Sequence, residues 1–199
     1  MREWWIRTAL VLQAPRAVFV ALRDDGAESA SDRAEPVLAV VLLAGAAYAL
    51  STRTAAHLMD DSDYDVIVTA VWTFLAGGLY GCAGYWFFGA VLHKAATLLG
   101  SQGSFRRNRQ ILAFASVPVV LSLVLWPIKL AVWGSALFHR GGTDAGTAGQ
   151  LLGYLWLGFV GWAAVLLVIG VRAVHGWTWG RAALAAAAPV ATAVALSFL

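Results

Sequence analysis

The chain has 199 residues, 60% of them hydrophobic and 13% charged, with a net charge of +3 and a mean hydropathy of +0.72. A soluble domain is about half apolar and a quarter charged, so this composition excludes an ordinary water-soluble fold and selects a helical membrane protein. The basic residues lie between apolar runs, where they serve as topology signals and anionic-lipid contacts, and no nucleic-acid partner is expected.

Residues Met1–Leu22 are apolar but broken by Arg7, Gln13, Pro15 and Arg16. A signal peptide needs an unbroken apolar core and a small-residue cleavage site, and neither is present. Trp4, Trp5, Ala9 and Leu12, then Val18, Phe19 and Leu22, fall near helical spacing, with Pro15 placed to start a second short helix. The segment reads as an amphipathic helix, or helix pair, lying in the membrane interface. A true span would put Arg7, Gln13 and Arg16 into hydrocarbon, at roughly 2.5–3.5 kcal/mol per central charge. Arg23–Glu35 is acidic and rich in small residues, as a solvated linker is. Residues 1–35 are therefore expected to form a cytoplasmic N-terminal part ahead of a transmembrane domain, 36–199.

Five apolar runs follow, at about 36–52, 66–92, 111–138, 151–171 and 182–199. Each is near or above the roughly 20 residues that cross a bilayer, and none alternates in the two-residue period of a barrel strand. The expected fold is all-α: a polytopic, five-helix transmembrane bundle preceded by an N-terminal interfacial amphipathic helix. With the N-terminus inside, eleven of the fourteen basic residues share its side, and only Arg53, Lys129 and Arg140 face the other. The first outer loop is instead acidic, with Asp60, Asp61, Asp63 and Asp65. That asymmetry places the N-terminus in the cytoplasm and the C-terminus outside. The alanine excess and the preference for arginine over lysine point to a GC-rich bacterial genome, and so to a bacterial cytoplasmic membrane.

The runs hold no Asp or Glu, whereas ion-driven carriers usually keep an intramembrane carboxylate. Lys129 is the one charge inside a run. It should snorkel at the outer interface beside Trp126 and Trp133, the alternative being a counter-charge for a substrate. Gly77, Gly81 and Gly84 form a small-residue stripe, and Gly158 and Gly161 a second, suited to close helix packing within the chain or in a homo-oligomer. Pro118, Pro127 and Pro189 are candidate kinks.

Motifs for chemistry are missing. There is no His-Glu-x-x-His, no Gly-x-Ser-x-Gly and no Walker loop, and Ser116, Ser122 and Ser135 have no identifiable base. His57, His93, His139 and His175 lie near run ends. The single cysteine, Cys82, reads as packing, and Gly141-Gly142-Thr143 as a flexible turn. No catalytic set, metal or cofactor is expected. The one basic cluster is Arg106, Arg107 and Arg109, which follows Gly100, Gly103 and Phe105 and leads into the third run. Phe105, Arg106, Arg107 and Arg109 are the candidate contact for a partner or for anionic headgroups.

Three features together resemble the Yip family in its bacterial branch. They are the N-terminal Pro15-Arg16-Ala17-Val18-Phe19, the five spans, and the junction Gly100-x-x-Gly103-Ser104-Phe105-Arg106 followed by Ala113-Phe114-Ala115-Ser116-Val117-Pro118. The resemblance covers nearly the whole chain. It implies a membrane-embedded, non-enzymatic role, and an accessory subunit of an ABC-type exporter is one such role. Eukaryotic members interact with Rab-type GTPases and carry an Asp-Leu-Tyr-Gly-Pro type motif in a long N-terminal region. That motif is absent here, so Rab binding is not carried over. The expected function is an interaction, organising or accessory protein; the alternative is a small transporter or channel for a lipid-like or neutral solute.

Overall fold

A computed structural model describes residues 2–24, 26–52, 54–60, 65–139 and 146–196. Asp61 and Asp63 of the acidic loop, the outer Arg53 and Arg140, and Gly141-Gly142-Thr143 lie outside the described residues. Among the described residues ten helices run α1 (Arg2–Leu10), α2 (Pro15–Ala21), α3 (Ala27–Asp32), α4 (Ala34–Leu50), α5 (Val66–Leu98), α6 (Phe105–Ala115), α7 (Val117–Leu121), α8 (Leu125–Trp133), α9 (Thr147–His175) and α10 (Trp179–Leu196). Short 3-10 turns at Ala55–Asp60, Ser122–Val124 and Gly134–Phe138 complete the list. Five helical stretches among the described residues are long and apolar enough to cross a membrane: Glu28–Leu50, Ile67–Leu98, Phe105–Phe138, Thr147–His175 and Trp179–Leu196. The all-helical, five-span architecture with short N-terminal helices is what the sequence implies.

Local chemistry sets the element ends. Pro15 opens α2 at its first turn, where its missing N–H costs nothing. Asp65 caps α5 by accepting from Val68 N at 2.8 Å. The third span is segmented rather than straight. Ser116 closes α6, Pro118 lies in the first turn of α7, and the 3-10 turn Ser122–Val124 precedes Pro127 near the start of α8. A proline cannot donate back to the preceding turn, so the helix is re-laid around each one. Pro189 sits inside α10.

Two features of the N-terminal part differ from the sequence expectation. Residues read as a solvated linker include helix α3, and Arg33 behind it is fully buried. Its guanidinium lies 5.1 Å from the Trp4 ring centroid and donates to the Asp24 carbonyl at 2.8 Å. Apolar pattern alone gives no warning of an arginine stabilised by a ring and a backbone oxygen. In addition, the inner faces of α1 and α2 pack on the bundle. Val11, Phe19 and Leu22 are wholly buried, Trp4 meets Phe114 with ring centroids 5.6 Å apart, and α2 lies against α9. Gly170 of α9 makes room, since a Cβ there would lie 2.8 Å from the Phe19 ring.

The core is one-sided. Its largest fully buried members include Phe19, Leu22, Leu92, Ile111, Phe114, Leu166 and Val171, contributed by α2 and the residue after it, α5, α6 and the C-terminal half of α9. Towards the other end α5 and α9 turn large side chains outward, among them Ile67, Phe74, Leu79, Leu151, Tyr154 and Trp162. In hydrocarbon these pay no hydrophobic penalty, so no driving force gathers them inward. Close packing there depends on small residues. A Cβ on Gly45 of α4 would lie 2.0 Å from the Gly77 carbonyl oxygen, and one on Gly81 would lie 2.3 Å from that of Val41. Gly77 and Gly81 thus pack α5 on α4. Gly84 meets only Phe88 of its own helix, and Gly158 and Gly161 have nothing within 4 Å. The second stripe therefore does not join helices within the described chain.

Candidate functional site

The end of the bundle that carries the core also carries the basic loop. Helix α5 stops there in a Schellman turn: Ser101 N bonds Ala96 O and Gly100 N bonds Thr97 O, both at 2.9 Å, with Gly100 at φ +82°. Ser104 then caps α6 by accepting from Arg107 N at 3.1 Å. Across the gap, Gly176 at φ +68° ends α9 and lets the chain turn into α10. Gly103 is held by proximity, since a Cβ there would lie 2.9 Å from the His175 ring.

A chain of side-chain hydrogen bonds runs through this junction. Asn108 is completely buried. Its Nδ2 donates to the Ser104 carbonyl at 3.2 Å, an obligate acceptor, and this orients the amide. The same nitrogen lies 3.1 Å from His93 Nδ1, which must accept. Oδ1 lies 3.1 Å from His175 Nε2, which must donate. His175 Nδ1 then accepts from the Ser101 hydroxyl at 3.1 Å, and that oxygen accepts from Gly103 N at 2.9 Å. Trp177 stacks on the His175 ring at 4.7 Å and Phe105 approaches His93 at 5.5 Å. The chain ties α5, the loop, α6 and α9 together.

Ser101, His175 and Asn108 follow the nucleophile, base and orienter order of a hydrolase. Here the three side chains are built into the packing of the loop end. Ser101 is 8% exposed, its oxygen already accepts from Gly103, and the imidazole is covered by Trp177. Nor do the two histidines form a metal site: both nitrogens of His175 and Nδ1 of His93 are engaged, and no group of three metal-binding side chains occurs among the described residues.

Arginines close the rest of this end by taking up helix-terminal carbonyls. Arg23 donates through Nε to Ala173 O of α9 at 2.9 Å, and Arg181 donates to the carbonyl of Leu99, which caps the C-terminus of α5. Cations at these positions also complement the negative end of each helix dipole. The predicted cluster is divided among three tasks. Arg107 turns to the Arg23 carbonyl at 2.9 Å, while Arg106 is exposed. Arg109 leans the other way, its guanidinium 3.6 Å from the Trp86 ring centroid, 4.6 Å from Phe105 and 5.0 Å from Tyr85. Ser101, His93, Asn108 and His175 were not singled out from the sequence. The one available signal was that His93 and His175 both lie at run ends on the same predicted side.

At the opposite end Lys129 sits 5.3 Å from the Trp126 ring, which stacks on Phe138. His57 and His139 approach Asp60 at 3.6 and 3.5 Å. Cys82 is exposed on α5.

Five apolar spans and a loop end closed by arginines and a buried amide define a multi-pass membrane protein. Within that class, the chain belongs to the Yip1 domain family, whose profile matches residues 9–199. No curated protein and no solved structure matches it.

Proposed function

We propose that the protein is a non-enzymatic interaction or organising subunit, which presents its loop end on the cytoplasmic face of a bacterial plasma membrane to a membrane-protein partner. An ABC-type exporter is the partner class that the family resemblance favours. The observation that supports this reading is the rigid mounting of the basic loop. Arg106 is exposed on a helix whose first turns are anchored by Ser104 and Asn108. A surface held in one geometry loses little entropy on docking.

The test is a site-specific photocrosslinker at the exposed Gln102 of the same loop in cells, followed by mass spectrometry. A single membrane-protein adduct, lost when Arg106 and Arg107 are neutralised, supports the reading. Unchanged partner recovery in the neutralised variant refutes it.

A second reading, transport of a lipid-like or neutral solute, draws on an apolar groove of about 470 Å³ between α4, α5, α6 and α10. Flux of such a solute in vesicles containing the purified protein would favour it.

A further inference from the structure

The groove and Arg109 meet at one residue. Tyr85 lines the groove beside Phe88 and Leu112, and its ring also faces the Arg109 guanidinium. Leu112 and Ala113 lie one turn beyond Arg109 on α6, so the charge marks the loop-end mouth of the apolar channel. The stem of Arg109 is pressed on the backbone of α5, where a Cβ at Gly89 would lie 2.3 Å from its Cγ.

The guanidinium is held but not neutralised. Three aromatic rings surround it, yet it makes no hydrogen bond or ion pair among the described residues, and its Nε is buried without an acceptor. Rings stabilise a cation by their quadrupole but supply no acceptor for its N–H groups. A planar fork of donors in this state calls for an oxyanion, and phosphate fits it in bidentate fashion.

Depth agrees with that ligand. Helix α5 has 33 residues, about 50 Å at 1.5 Å per residue, against roughly 30 Å of hydrocarbon. Shared between both ends, the excess leaves about 10 Å projecting at each. Gly89 lies nine residues before Leu98, about 14 Å from the helix end. Arg109 is therefore at the hydrocarbon boundary, within snorkelling reach of the phosphate layer.

We propose that Arg109 and this groove form a binding site for an anionic phospholipid, its phosphate on the guanidinium and one acyl chain along Tyr85, Phe88, Leu112 and Ala193. The site deepens the interaction reading and relies on it only for which leaflet supplies the lipid.

The experiment uses full-length protein in mild detergent, stripped of lipid and titrated with phosphatidylglycerol or phosphatidylcholine of identical chains, read by native mass spectrometry. Phosphatidylglycerol should bind about five- to tenfold more tightly, because the choline ammonium offsets the phosphate charge that both lipids carry, and Arg109→Gln should abolish that preference. Ala83→Phe, at an exposed position lining the groove, should weaken both lipids and leave their ratio unchanged. Millimolar glycerol phosphate should not displace the lipid, because it brings no chain. Equal affinity for the two lipids, an unaltered preference in Arg109→Gln, or displacement by glycerol phosphate would each overturn the site. Should Arg109→Gln fail to purify as a monodisperse species, Ala83→Phe decides: full retention of phosphatidylglycerol there rejects the groove. No partner protein is present in this assay, so its failure is distinct from failure of the crosslinking test.

Discussion

The amide oxygen of Asn108 lies 3.1 Å from Nε2 of His175, joining helices from opposite sides of the loop end. Replacing Asn108 with Ala leaves His175 Nε2 and His93 Nδ1 without their partner in a buried setting. Each such loss costs about 1–3 kcal/mol. Asn108→Ala should therefore be among the most destabilising single changes outside the spans' apolar core, with a clear fall in thermal midpoint measured in detergent. A change within experimental error would show that the polar chain contributes nothing to stability.

The glycines separate packing from bystander roles. Gly45→Ala drives a methyl group into the backbone of α5 near Gly77 and Gly81, which α4 and α5 relieve only by moving apart. Overpacking of this kind costs about 1–3 kcal/mol. Gly158→Ala and Gly161→Ala meet open space and should be neutral, or stabilising by about 0.5–1 kcal/mol through helix propensity. If the second stripe joins two copies of the chain, Gly158→Leu should shift the protein from dimer to monomer in light scattering while leaving the fold intact.

Arg33 tests the docking of the N-terminal helices. Its guanidinium lies near the Trp4 ring and bonds the Asp24 carbonyl, so Arg33→Ala removes a buried link between α1, the turn before α3 and α4. The expected cost is about 2–3 kcal/mol, from one charge-assisted bond and the packing around it. Limited proteolysis should then release the first 25 or so residues before the spans unfold. Resistance equal to the unmodified protein would contradict that coupling.

Asp24 carries a pH dependence of defined sign. A hydrogen bond from the Ser29 hydroxyl, then the Gly26 N–H and the nearby Arg33 charge, hold its carboxyl below the ordinary value of 3.8. Its folded pKa is the depressed one, so its contribution is fully present above 3.8 and is lost as pH falls through the folded value. Hydrogen exchange at the amides of residues 26–30 should accelerate as pH is taken below 3.8, after correction for intrinsic exchange. Asp24→Asn should show the faster, pH-independent opening throughout. The opposite order would contradict the assignment.

The charge asymmetry between loops predicts the topology. A reporter fused after Leu199 should be active only outside the cytoplasm, and one fused at Met1 only inside. The reverse pattern would move the loop end, with Arg106 and Arg109, to the outer face.

Much of the architecture was legible because its causes are local. Twenty apolar residues in a row need a bilayer, Pro15 begins a helix, and Gly100 ends one. The division of the arginine cluster was not legible. Arg106, Arg107 and Arg109 are near neighbours in the chain, yet a helix turns successive side chains by about 100°. One is exposed, one meets the Arg23 carbonyl, and one lies among the rings of α5. The two glycine stripes looked alike as spacings. Only the partner helix distinguished them, with Val41, Gly45 and Ala46 lying against the first and nothing within 4 Å of Gly158 or Gly161 in the second.

By itself, then, the sequence determined the class: a helical membrane protein with five spans and a basic loop ahead of the third. Hydropathy and turn chemistry are short-range and need no knowledge of neighbours. Tertiary structure alone decided that His93, Asn108, His175 and Ser101 form one buried chain and that Arg109 overlooks an apolar groove. Those relations join residues from different spans, and in a bilayer they are set by packing and polar satisfaction rather than by any pattern along the chain.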